Sequence, residues 1–117
     1  MSNVTHEDLG ENVRRIMLNG RLDTVGVNEM SDQLRSLASV PKRGVIVDLT
    51  GVPFLGSMGI GQLIQNAQAV KSRGGHMVLI AVGSSSVMTS LKMAGIDTLI
   101  PIFDNPSDAF TAAMRGF

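Results

Sequence analysis

The chain has no cysteine, no tryptophan and no tyrosine, and only four phenylalanines among its 117 residues. Without thiols it can form neither a disulfide nor a cysteine-based metal or nucleophile site, and that composition suits a reducing compartment. With so few aromatic rings it has little on which to stack bases or sugars. Charge of one sign is missing as well. Ten basic residues balance ten acidic ones, so no long-range field draws in DNA, RNA or an anionic membrane. Nucleic acid and direct membrane insertion are therefore not expected. No apolar run approaches the length of a membrane span, and Met1 to Gly10 is polar and acidic, unlike a signal peptide. The expected location is the cytoplasm.

What is present is apolar patterning. A chain of this length can bury roughly two-thirds of its unfolded surface and hold a core without covalent staples. Val45, Ile46 and Val47 are consecutive and β-branched, and Leu49 follows after one Asp. Such a run predicts an interior strand covered on both faces. From Ile60 the period changes: Ile60, Leu63, Ile64, Ala67 and Val70 form one stripe of an amphipathic helix. Between strand and helix, Gly56, Gly59 and Gly61 allow a tight turn, and Ser57 is placed to cap the helix.

Around this centre the chain reads in order. Val4–Asp8 and Asn12–Asn19 predict a hairpin broken at Leu9-Gly10-Glu11. Asp23 or Thr24 caps a helix carrying Val27, Met30, Leu34, Leu37 and Ala38, which stops before Pro41. Met77–Val82 predicts a second interior strand. A short helix follows, capped among Ser84, Ser85 and Ser86, with Val87, Met88, Leu91 and Ala94 inward and a left-handed ending at Gly95. Leu99–Phe103 predicts an edge strand, because Pro101 lacks a ladder donor. Asn105-Pro106 opens a last helix with Ala109, Phe110, Ala113 and Met114. The fold class is α/β: a mixed four- to five-stranded sheet with about four helices against it, in the order β-β-α-β-α-β-α-β-α. One domain over 1–117 is expected.

Catalytic and cofactor patterns fail on residue identity. Gly56 and Gly61 have P-loop spacing, but Gln62 and Leu63 stand where Lys and then Ser or Thr are needed. The order Gly-x-x-Gly-x-Gly is not the dinucleotide fingerprint, and the turn follows an interior strand rather than the first. As a nucleophile Ser57 lacks the Gly two residues earlier, where Leu55 stands, and no acidic residue lies between it and His76. His6 and His76 have no second ligand at metal spacing. Catalytic, cofactor-binding and metal residues are all expected to be none.

The run Val45–Ile64, VIVDLTGVPFLGSMGIGQLI, resembles the signature of the STAS domain, the fold of bacterial anti-sigma-factor antagonists. Gly20-Arg21-Leu22-Asp23, the Gly95-Ile96 stop and the terminal helix are also similar to that family. The resemblance implies a non-enzymatic regulatory domain that docks on an anti-sigma factor or a related kinase-like regulator, as a monomer or weak homodimer. The implied partner-binding residues are Phe54, Gly56, Ser57, Met58, Gly59, Gly61, Gln62, Gln65 and Asn66. Two positions depart from the family pattern: Gly56 stands where Asp is usual, and Met58 where the phosphorylated Ser or Thr is usual. A thioether offers no hydroxyl, which leaves three outcomes: phosphorylation of Ser57 instead, docking without a phosphate switch, or a different partner. Docking without the switch is the expectation adopted, because moving an acceptor by one helical residue rotates it by about 100°. The alternatives in other classes are a STAS subunit of a membrane lipid or anion transport assembly, and a nucleotide-binding regulatory domain.

Overall fold

The computed structural model describes residues 3–115. Its elements are β1 (Asn3–Leu9), β2 (Val13–Asn19), α1 (Thr24–Ala38), β3 (Gly44–Gly51), α2 (Ser57–Ser72), β4 (His76–Ile80), α3 (Ser86–Met93), a 3-10 turn (Ile96–Thr98), β5 (Ile102–Phe103) and α4 (Pro106–Arg115). The five strands form one sheet in the order β1-β2-β3-β4-β5. β1 is antiparallel to β2, and β2 through β5 run parallel. This is the predicted α/β mixed sheet, with β3 at its centre.

The consecutive apolar residues of β3 are explained by its two covered faces. Val45, Val47 and Leu49 join Ile16, Leu18, Leu63, Leu79 and Leu91 in the larger core, under α1, α2 and α3. Ile46 points the other way, with Val13, Val78 and Ile80, against Ala109 and Ala113 of α4. Alternate side chains of a strand face opposite ways, so both neighbourhoods must be apolar. Each fully buried Leu or Val contributes about 1.5–3 kcal/mol relative to exposure.

Local signals account for most ends. Asp23 accepts from the Gly26 amide at 2.9 Å and caps α1, Ser85 accepts from the Met88 amide at 3.1 Å and caps α3, and Gly95 takes the left-handed conformation at φ 73°. Three expectations need correction. β4 ends at Ile80, and Val82 lies exposed beyond it. Only Ile102 and Phe103 of the stretch 99–103 form a strand, because the chain first makes the 3-10 turn that buries Ile96. Ala94, the residue that ends α3, is exposed.

α4 can lie close to the sheet because its inward residues are small and the sheet answers with Gly44. A Cβ at Gly44 would sit 2.5 Å from the Ala113 carbonyl oxygen and 2.7 Å from its Cβ. Gly44→Ala is therefore expected to lower unfolding stability by about 1–3 kcal/mol. Amide exchange should quicken in α4 more than in α1 or α2. An unchanged denaturation midpoint would show that α4 does not rest on this position.

Candidate functional site

Two loops, at the ends of β2 and β3, meet at one end of the sheet. The Leu22 amide donates to the Phe54 carbonyl at 2.8 Å, and the Gly56 amide donates to the Leu22 carbonyl at 3.0 Å. Leu22 and Leu55 thereby form an isolated parallel bridge. The bridge sets the starts of α1 and α2 side by side. Gly59, in the first turn of α2, is pressed against it: a Cβ there would lie 2.7 Å from Leu55 Cδ1 and 3.1 Å from Leu22 Cβ. A larger residue there requires the Leu55 side chain and Leu22 to shift.

The close approach leaves an apolar surface above it. Met58 is 47% exposed and Phe54 39%, and Val25, in the first turn of α1, is 67% exposed. The Thr24 hydroxyl donates to Met58 Sδ at 3.5 Å, joining the two helix starts at the surface. The Arg21 guanidinium carbon lies 4.4 Å from the centroid of the Phe54 ring, in a cation–π contact that leaves its charge at the rim. Exposed apolar side chains thus stand near both helix starts, with a charged group over Phe54.

Phe54, Ser57, Met58 and Gln65 are exposed, and Gly56, Gly61 and Gln62 are partly so. Gly59 and Asn66, expected on the exposed face, are instead buried in the chain. For Gly59 the cause is its contact with Leu22 and Leu55. For Asn66, 5% exposed, it is the true phase of the helix. The buried line of α2 runs Gly59, Leu63, Asn66, Val70, a quarter-turn from the line the apolar residues suggest. Asn66 satisfies its amide internally by donating to the Gln62 carbonyl at 2.8 Å. Ile64 and Ala67 lie on the shoulder, where with Leu99 and Ile100 they border a cavity of about 190 Å³. Ser57 is not the cap. The N-cap is Gly56, held extended by its bond to Leu22, so Ser57 is already the first helical residue. Arg21, Thr24 and Val25 were not among the expected contact residues, because only the pairing of two loops distant in sequence brings them to this face.

A buried carboxylate holds the approach to the site. Asp48 is 2% exposed and receives Arg15 Nη2 at 2.5 Å and Nε at 3.1 Å. Its other oxygen accepts from the Thr50 amide at 2.9 Å, which fixes the turn leaving β3. Burial pushes the Asp48 carboxyl up. Arg15, together with the amide and hydroxyl of Thr50, more than offsets this and holds it below the usual carboxylate range. Asp23, at the start of α1, is lowered too, first by the Gly26 amide and then by Arg21. Among the described residues no group of His, Cys, Asp and Glu is placed to hold a metal ion.

Residues 9–109 match the STAS domain family. A curated relative, the anti-sigma F factor antagonist of Paenibacillus polymyxa, is 28% identical over 67 residues. That alignment spans 57% of this chain and 56% of the relative's length. Among solved structures, an anti-sigma factor antagonist from Mycobacterium paratuberculosis superposes with a TM-score of 0.87 at 22% identity, covering 97% of this chain and 95% of that one. An anti-sigma-factor antagonist (STAS) domain protein from Planctomyces limnophilus gives 0.77 at 26% identity, over 96% of each chain. At 22% identity the first of these likenesses speaks for the fold.

The Asp48 network has a pH signature. Its folded-state value lies below the unfolded one of about 3.9, so its contribution is fully present above that value and is lost as pH falls through the folded value. Asp48→Asn keeps an acceptor for Thr50 but removes the charge facing Arg15. At neutral pH this should cost about 1–3 kcal/mol. The gap between the two proteins should shrink as pH drops below about 4. Denaturant titrations at several pH values measure this, and a gap that does not change with pH would mean the charge is not what the site depends on.

Proposed function

The chain belongs to the STAS domain family, and from that premise we propose that it is a regulatory binding domain of the anti-sigma-factor-antagonist type. It docks on a kinase-like anti-sigma factor through the face where α1 and α2 begin. The observation that carries the reading is Met58: an apolar side chain half in solvent, bonded to Thr24 where the Leu22–Leu55 bridge joins the two helix starts. Methionine is flexible and polarizable, so it moulds to an apolar partner surface. Residues fixed before binding lose little freedom on binding.

The partner is held without a phosphate switch at Met58. Ser57 is exposed, but one residue away on a helix it points about 100° from Met58 and addresses a different direction. The chain acts by contact and not by chemistry on a substrate. No helix among the described residues is long and apolar enough to cross a membrane.

The test uses purified kinase-like anti-sigma factors of the source organism, titrated one by one against the full chain. Met58→Asp is expected to weaken the productive complex about tenfold or more, because a carboxylate would be buried without a partner. Phe54→Ala should weaken it as well, by removing apolar area and the Arg21 contact. Met93→Asp, on a still more exposed methionine at the last turn of α3, should bind as the unaltered protein does. Indifference to Met58→Asp would put the contact elsewhere, and capture of membrane transport subunits in place of an anti-sigma factor would replace this reading. Intact mass of protein from its native cells should show no phosphate on Ser57.

A further inference from the structure

The same face carries a chemically reactive group at its centre. Met58 Sδ is held at the surface by the Thr24 hydroxyl, in a side chain half open to solvent. The chain contains no cysteine to intercept an oxidant first. Of its other described methionines, Met30, Met77 and Met88 are in the core, where an oxidant has no access. Met17 and Met114 are partly covered, and Met93, 83% exposed, lies on the last turn of α3, an element that carries none of the residues named for the docking face. A thioether that is both accessible and at a contact surface is one whose oxidation has a consequence.

We propose that Met58 is a reversible oxidation site that turns docking off, an inference that rests on the docking reading above. A lone pair of Sδ attacks one oxygen of a hydroperoxide. The O–O bond breaks, a sulfur–oxygen bond forms, and the departing oxygen takes up a proton and leaves as water or an alcohol. Sulfur loses two electrons and the peroxide gains them. The apolar thioether becomes a sulfoxide, whose oxygen is a strong acceptor. The Thr24 hydroxyl that donated to sulfur is within reach to donate to that oxygen, and this keeps the oxidised side chain on the face. An apolar partner surface must then cover a polar group it cannot satisfy. Two thiols of a sulfoxide reductase reverse the step, forming a disulfide on the reductase and water.

The experiment treats the full chain with hydrogen peroxide, maps the sulfoxides by peptide mass, and titrates the anti-sigma factor that binds in the assay above. Met58 and Met93 should gain one oxygen each while Met30, Met77 and Met88 stay reduced. Affinity should fall about tenfold. Methionine sulfoxide reductases of both stereospecificities, with dithiothreitol, should restore it. Met58→Leu, whatever its own affinity, should bind equally before and after peroxide, and Met93→Leu should lose affinity on treatment as the unaltered chain does. Oxidation of Met93 that spares Met58, or a Met58 sulfoxide that binds as tightly as the thioether, would overturn this inference and leave the docking face standing. Failure of the untreated chain to bind any anti-sigma factor would remove the docking reading, and this inference with it.

Discussion

The backbone of Leu22 carries the arrangement at the working end of the molecule. Its amide and carbonyl both bond across to the loop leaving β3, so a residue between β2 and α1 is fixed to one between β3 and α2. Two backbone bonds of ordinary strength contribute little each. Their effect is geometric. They bring the first turn of α2 against Leu22, just ahead of α1, and Gly59 leaves room for that contact. Thr24 and Met58 meet at the surface because this joint holds the two helix starts together.

Much of the fold was legible because burial writes itself into residue order. Val45 to Leu49 could be read as an interior strand because a strand covered on both sides has no polar positions to alternate with. Asp23 and Gly95 marked helix ends because each supplies something the backbone needs there, an acceptor at one and a left-handed turn at the other. Reading failed where tertiary contact overrode local preference. Ser57 has the chemistry of a cap, but the bond from Gly56 to Leu22 starts the helix one residue sooner. Asn66 is polar and reads as surface, yet it falls on the inward line of α2 and answers its own helix. The stretch around Pro101 reads as a longer strand than it is, because the need to bury Ile96 and Ile100 curls the chain first.

The site divides in the same way. Phe54 and Met58 lie in the single run that stood out, so they could be named from spacing and resemblance. Arg21 lies on the other loop and Thr24 and Val25 in the first turn of the helix it leads to, and the place of Thr24 beside Met58 depends on a pairing with no local signal. Asp48 sits between these cases. As the one charge in an apolar run it was conspicuous, but that it would be met by Arg15 from the neighbouring strand follows only from strand order and register. With Thr50 bonded to it, the carboxylate transmits the position of the sheet to the loop that bears Phe54.

The two ends of the described chain leave the sheet in opposite places. Asn3 pairs with Asn19, which pairs in turn with Gly51, so the entry into β1 lies at the level of the loop that leads to Phe54. The end of α4 lies at the far side, where the Arg115 carbonyl accepts from Arg43 at 3.0 Å, just ahead of the first residue of β3. The length of β3 separates them, seven steps of about 3.3 Å or roughly 23 Å. A tag, surface anchor or fused neighbour attached beyond α4 therefore leaves the apolar face open to the medium. The same attachment ahead of β1 would join the chain at the end of the sheet where α1 and α2 begin.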